Sequence, residues 1–212
     1  MASAGKGSTR ERLLDAAIVL FASKGYAATS VPDIQRACGL SAGSGAMYRH
    51  FSSKRELLTA AVRRYLDRIS DDGKRFDAEP TRSVEQALGR VATLVWDGIN
   101  DNAMLLRVIF RESEAFPELV DELWSGVTAR TYQRFARFAR QLRVAGDAGV
   151  SQIADPEASA AVLMAALAHY PVVRLLIGRT PGGIAEDRYR EAWIQNTLAV
   201  LRQAAVPPPG DQ

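Results

Sequence analysis

The chain has 212 residues, with 27 Lys and Arg against 24 Asp and Glu for a net charge of +3, 47% apolar residues and a single cysteine. That balance excludes a wholly disordered chain, a disulfide scaffold and a thiolate zinc cage, while the length admits one large or two small domains. The charge is uneven: residues 1–65 hold ten basic and four acidic side chains, the remainder 17 basic and 20 acidic, which suits either a polyanion partner for the first part or an unevenly charged solvated surface.

In chain order, residues 1–8 are small and polar without an apolar run, so no signal peptide is expected and this end should be disordered. Ser8/Glu11, Ser30/Asp33, Ser53/Glu56 and Ser83/Gln86 each have the spacing of a helix start, in which the serine accepts a backbone N–H and the third residue on answers it. After the first, Leu13, Ala17, Leu20 and Phe21 line one face, and a helix is predicted over about 9–24, stopping at Gly25. A short second helix follows, with Pro32 in its first turn, Ile34 and Cys38 facing inward and Gly39 ending it. Beyond the turn at Leu40–Gly43, a third helix is expected over Ser44–Phe51. A long helix from Lys54 weakens at Asp71-Asp72-Gly73 and ends before Pro80. Helical spacing then recurs over Val84–Ile99, Ala103–Arg111, Pro117–Val144, Pro156–Ile177 and Arg188–Ala204, and the proline-rich tail at 206–212 is expected to be flexible. No strand-period stretch bounded by hairpin signals occurs, so the chain reads as all-α. The longest run without Asp, Glu, Lys or Arg, Ala158–Val173, is too short for a bilayer span.

Catalytic patterns are missing. His50 and His169 are the two histidines and stand in no supporting motif, Gly5-Lys6-Gly7-Ser8 lacks the earlier glycine of a phosphate loop, and Ala42-Gly43-Ser44-Gly45 is wrongly spaced for a nucleophile elbow. Asp71-Asp72 lacks a third carboxylate and reads as solvated surface. Cys38, with no second cysteine, reads as a buried structural thiol. No enzyme activity, cofactor or metal is expected.

Three short helices with a tight turn between the second and third form a helix-turn-helix unit over 9–58, whose third element can enter a major groove. Thr9–Ala17, Leu20–Val31, Asp33-Ile34, Met47–Lys54 and Leu57-Leu58 resemble the TetR family of bacterial transcription regulators. The resemblance implies that Tyr48, His50 and Lys54 hold operator phosphates, which fix register without reading sequence. It places Ser44, Gly45 and Arg49 outward on the recognition element, with Arg49 the base reader because a guanidinium can bond a guanine edge bidentately. Ser30 is implied to cap the second helix toward a phosphate, and Met47, Phe51, Ile34 and Phe21 to be core. Two departures stand out. Six residues separate Ser41 from Tyr48 where the family usually has four, implying a two-residue insertion at Ser41–Gly45. Pro32 occupies a position where some members carry a base-reading cation.

Residues 59–205 are then expected to form a helical effector-binding and dimerisation domain, the two long helices Pro156–Ile177 and Arg188–Ala204 pairing with a second copy. Ala160, Ala161, Ala165, Ala166 and Ala168 would allow close approach, though the same composition suits a buried monomer helix. Trp96, Met104, Phe110, Trp124, Tyr132, Met164 and Tyr170 are the candidate effector contacts, for a mainly apolar ligand. The implied protein is a cytoplasmic homodimer that meets no membrane. It binds a palindromic double-stranded operator as a ligand-responsive transcriptional regulator, expected to repress, and a small-molecule effector releases it. Two other readings stay open: an all-α enzyme or binding protein for an apolar small molecule without DNA binding, of which the enzyme would need a carboxylate pair facing the cavity and be favoured by Glu112 and Glu114 there, and a helical adaptor using its basic end on a membrane or acidic protein.

Overall fold

Nine α-helices account for most of the computed structural model, which describes residues 8–43, 45–79, 82–144 and 155–203. They are α1 (Thr9–Lys24), α2 (Val31–Ala37), α3 (Lys54–Ala78), α4 (Val84–Asp101), α5 (Ala103–Arg111), α6 (Pro117–Leu123), α7 (Ala129–Val144), α8 (Pro156–Ile177) and α9 (Glu186–Gln203). A 3-10 turn covers Met47–Arg49 and a π-helical turn Trp124–Thr128. No strand occurs among the described residues. The expectations for residues 1–7, Ser44 and 206–212 lie outside the described residues; Ser8 is the N-cap of α1.

The serine caps form as the spacing predicts. Ser8, Ser30, Ser53 and Ser83 each accept the backbone N–H three residues on, at 3.3, 3.3, 3.0 and 3.1 Å. Only Asp33 answers its own cap. Glu56 bonds Ser52, and Gln86 accepts from the Arg82 N–H, each one residue upstream of its cap.

The chain divides into two compact units that do not follow a single cut: residues 1–69 with 102–123, and 70–101 with 124–212. In the first, α1 packs on α2 and on α5, which adjoins α6. Leu13, Leu14, Ala17, Phe21, Ile34, Met47, Phe51, Leu57, Leu58 and Val62 are buried there, as are Leu105, Val108, Ile109, Phe116 and Leu119. The inward positions expected of the helix-turn-helix unit, Phe21, Ile34, Met47 and Phe51, are thus core. Cys38 is buried as well, its thiol donating to the Arg12 carbonyl at 3.1 Å, and burial pushes its pKa up.

In the second unit α8 meets α4, α7 and α9. Its core gathers Leu88, Val91, Trp96, Phe135, Met164, Leu167, Tyr170, Trp193, Leu198 and Leu201. Pro171 lies inside α8, has no N–H, and so deprives the Leu167 carbonyl of its intrahelical donor. The indole of Trp96 supplies one, Nε1 lying 3.0 Å from that oxygen. The same indole stacks on Tyr170, with 4.9 Å between centroids and planes 11° apart. By length and composition α8 could cross a membrane, yet Ala160, Met164, Leu167, Tyr170, Pro171 and Leu175 are buried in this core.

Candidate nucleic-acid interface

Helix α2 is fixed at its start by a reciprocal cap. Ser30 accepts the Asp33 N–H, while Asp33 Oδ2 accepts the Ser30 N–H at 3.1 Å and hydroxyl at 2.7 Å; Arg36 reaches the other carboxylate oxygen. These bonds, first the Ser30 hydroxyl, then the Ser30 N–H and Arg36, hold Asp33 down to about 2. A carboxylate depressed in the folded state stabilises it above its unfolded pKa and loses that contribution as pH falls through the folded value. The denaturation midpoint of wild type is therefore expected to exceed that of Asp33→Asn at pH 6, the gap closing between about pH 4 and pH 2. A gap independent of pH would show that the cap does not use the charge.

The turn after α2, where two extra residues were expected, has a geometry that overturns the full helix expected over Ser44–Phe51. Gly43 and Gly45 have φ of 84° and 63°, in the left-handed region, and only Met47–Arg49 coil, as a 3-10 turn. A residue at positive φ cannot continue a right-handed helix, so the recognition element shortens to the part beyond Gly45. Gly45 itself makes the bend, whereas Ser44 lies outside the described residues. Tyr48, 59% exposed, and Arg49 and His50, also exposed, follow in one short row, with Met47 beneath them in the core. His50 borders a half-open pocket of about 390 Å³ with Arg10, Phe51, Glu56, Arg63 and Arg64. Mixed charge fills that pocket, and Arg64 is committed to Glu11 at 2.6 Å and Asp15 at 2.7 Å, tying α3 to α1.

Lys54 makes contacts that the sequence did not announce. Its ammonium donates to the Tyr26 carbonyl at 2.7 Å and the Thr29 carbonyl at 2.9 Å, and lies 4.2 Å from the centre of the Tyr26 ring. That pins the α1–α2 loop to the start of α3. From the other side Arg111 donates to the carbonyls of Phe21 and Ala22 at the end of α1, and Glu112 accepts the Tyr26 N–H at 3.1 Å. These contacts join residues 86–90 positions apart, so no local pattern could have revealed them. Glu112 is spent on this loop and Glu114 is exposed, which removes the acid pair that the enzyme reading required. Among the described residues, no group of three His, Cys, Asp or Glu side chains is placed to hold a metal.

The effector candidates do not fall in one unit. Met104 and Phe110 are exposed and belong to the first. The others belong to the second, where Trp96, Met164 and Tyr170 are core, Tyr132 packs against that core, and Trp124, 59% exposed, meets Tyr132 edge-on at 6.4 Å. His169 is exposed on α8.

Residues 13–61 match the bacterial regulatory proteins of the tetR family, and residues 86–201 match the C-terminal domain of AefR-like transcriptional repressors. The chain belongs to the TetR family. The HTH-type transcriptional repressor KstR2 of Rhodococcus jostii is 43% identical to this TetR-family chain over 65 residues, 31% of either protein, so the match spans less than a third of that relative's length. The HTH-type transcriptional regulator YvkB of Bacillus subtilis is 24% identical over 170 residues, 80% of this chain and 85% of its own. A transcriptional regulator from Saccharomonospora viridis, solved in complex with choline, superimposes with a TM-score of 0.69 at 24% identity, over 88% of this chain and 93% of the other. At that identity the likeness is one of fold.

Proposed function

We propose that this TetR-family protein is a cytoplasmic, homodimeric repressor that binds a palindromic operator and leaves it when a mainly apolar effector binds. The observation that carries the reading is the exposed row Tyr48-Arg49-His50, raised on a buried Met47. Phenol and imidazole suit phosphate oxygens and the guanidinium suits a base edge. Ser30 and Lys54 are the further candidates, each with its first hydrogen bonds already made within the protein. Ser44 and Gly45 are retained as candidate contacts on the basis of the family resemblance.

The dimer is supported by apolar side chains exposed on the last two helices: Val162, Leu176 and Ile177 on α8 and Val200 on α9, with Ala165 and Ala166 exposed among them. Pairing with a second copy would bury this face. For the effector, the exposed Trp124 beside Tyr132 offers an aromatic entrance, and its π-helical turn is a backbone irregularity of a kind frequent at functional sites. Trp96, Met164 and Tyr170 lie farther inside the same unit.

Fluorescence anisotropy with duplexes tiled across the region upstream of the protein's own gene, in excess bulk DNA, tests the reading. One duplex is expected to bind in preference. Tyr48→Ala should weaken all duplexes alike, and Arg49→Ala should cost about 1–3 kcal/mol on the preferred duplex and relax its sequence preference. Binding by wild type and Tyr48→Ala that cannot be told apart would refute the interface.

A further inference from the structure

We propose that Tyr26, gripped from α5–α6 by Glu112 and Phe116, positions the Lys54 ammonium for a DNA phosphate, so that residues 111–116 set the affinity of the head for DNA. The inference rests on the DNA-binding reading above. Several of the loop's restraints meet at Tyr26. Its N–H donates to Glu112 Oε1 at 3.1 Å, and its ring meets Phe21 at 5.1 Å and the edge of Phe116 at 4.6 Å. Phe116 is buried and capped in turn by the Arg55 guanidinium, 4.8 Å from its centre. On the far face of the loop Lys54 spends two of its three ammonium protons on the Tyr26 and Thr29 carbonyls, above the Tyr26 ring. One proton remains.

An ammonium on a four-carbon stem is a poor phosphate ligand when free to wander, since fixing it costs rotamer entropy at the moment of binding. Here that cost is met in the folded protein, but only while the loop keeps both carbonyls in place. Gly25, with φ of 95°, lets the loop turn away from α1; the Thr29 hydroxyl ties that residue to the Gly25 carbonyl at 2.7 Å and the Leu20 carbonyl at 3.3 Å, while the Tyr26 carbonyl is held by what grips Tyr26. Tyr26, Glu112 and Phe116 are therefore positioning residues, and a shift of the α5–α6 turn reaches the DNA surface through one side chain.

The test is the salt dependence of binding to a mixed-sequence duplex of about 30 base pairs, where the slope counts phosphates neutralised and is insensitive to the fraction of folded protein. Lys54→Met, Tyr26→Leu and Glu112→Ala are each expected to lower the slope by about one and weaken binding several-fold, on the order of three- to ten-fold near 0.1 M salt. Removing the Glu112 charge alone would strengthen binding to a polyanion, so weakening in Glu112→Ala has the opposite sign from simple electrostatics. Tyr26→Phe, which keeps the ring, and Glu112→Gln, which keeps the acceptor, should retain the wild-type slope, and Tyr26→Leu added to Lys54→Met should lower it no further. If Tyr26→Leu does not fold, Glu112→Ala against Glu112→Gln carries the same comparison. A slope lowered by Lys54→Met but untouched by Glu112→Ala overturns the positioning role alone. A slope untouched by Lys54→Met overturns it together with the phosphate contact, and no binding by wild type overturns the DNA-binding reading itself.

Discussion

Trp96→Ala is expected to destabilise the chain by about 3–5 kcal/mol, the range for emptying a buried large aromatic site. The side chain is 1% exposed, stacked on Tyr170 and neighboured by Tyr189 at 6.1 Å. Size is only part of the cost, because the indole N–H serves a carbonyl that Pro171 has left without a partner. Trp96→Phe separates the two contributions: it keeps a ring, loses the donor and should cost about 1–3 kcal/mol for the unsatisfied oxygen, besides its smaller volume. In a Pro171→Ala background the main chain regains an N–H aimed at Leu167, and there Trp96→Phe should cost measurably less. Urea denaturation followed by far-UV circular dichroism gives the four values of the cycle. Equal costs in both backgrounds would mean that the indole is not replacing the proline's missing donor.

Lys54→Met is expected to loosen the first unit by about 2–4 kcal/mol, since it removes two hydrogen bonds from a charged donor and a cation lying on an aromatic face. Lys54→Arg keeps the charge but presents a planar fork where a compact tetrahedral donor fits two converging carbonyls, so it should recover only part of the loss. The three tryptophans, Trp96, Trp124 and Trp193, all lie in the second unit, and their fluorescence would miss the change. Hydrogen exchange of the α1–α2 amides is the suitable measurement. Protection of those amides unchanged in Lys54→Met would show that the loop does not depend on the ammonium.

How much of this was legible in the sequence depends on how local the determinant is. The Ser8 and Ser30 caps and the Gly25 stop act within a few residues, so α1 begins and ends where spacing places it, and α2 begins at Val31. Two irregularities interrupt the predicted pattern. The Gly43 and Gly45 bends leave a 3-10 turn where a helix was expected, although the unusual Ser41–Tyr48 spacing already marked this stretch. The helix expected over Pro117–Val144 is broken by the π-helical turn at Trp124–Thr128 without any proline to signal it. At the proposed interface, the exposure of Tyr48, Arg49 and His50 was readable because consecutive polar residues follow a buried Met47 on one short element. The lysine's grip on the loop and the clamps from Arg111 and Glu112 were not, because each pairs groups far apart in sequence. Gly73 is a smaller case of the same kind. A Cβ there would meet the Arg134 guanidinium, which pairs with Asp77, so a glycine that looks like a weak point in α3 lies against a side chain from α7.

The first unit is stitched from two stretches of chain with α4 between them, and this constrains any attempt to transplant its specificity. A fragment ending at Ile69 would bare the face of α1 that α5 covers and would strip the Phe21 and Ala22 carbonyls and the Tyr26 N–H of the Arg111 and Glu112 groups that serve them. Chimeras between relatives that exchange only the helix-turn-helix segment would carry mismatched seams at these points. Residues 102–123 have to travel with the first 69.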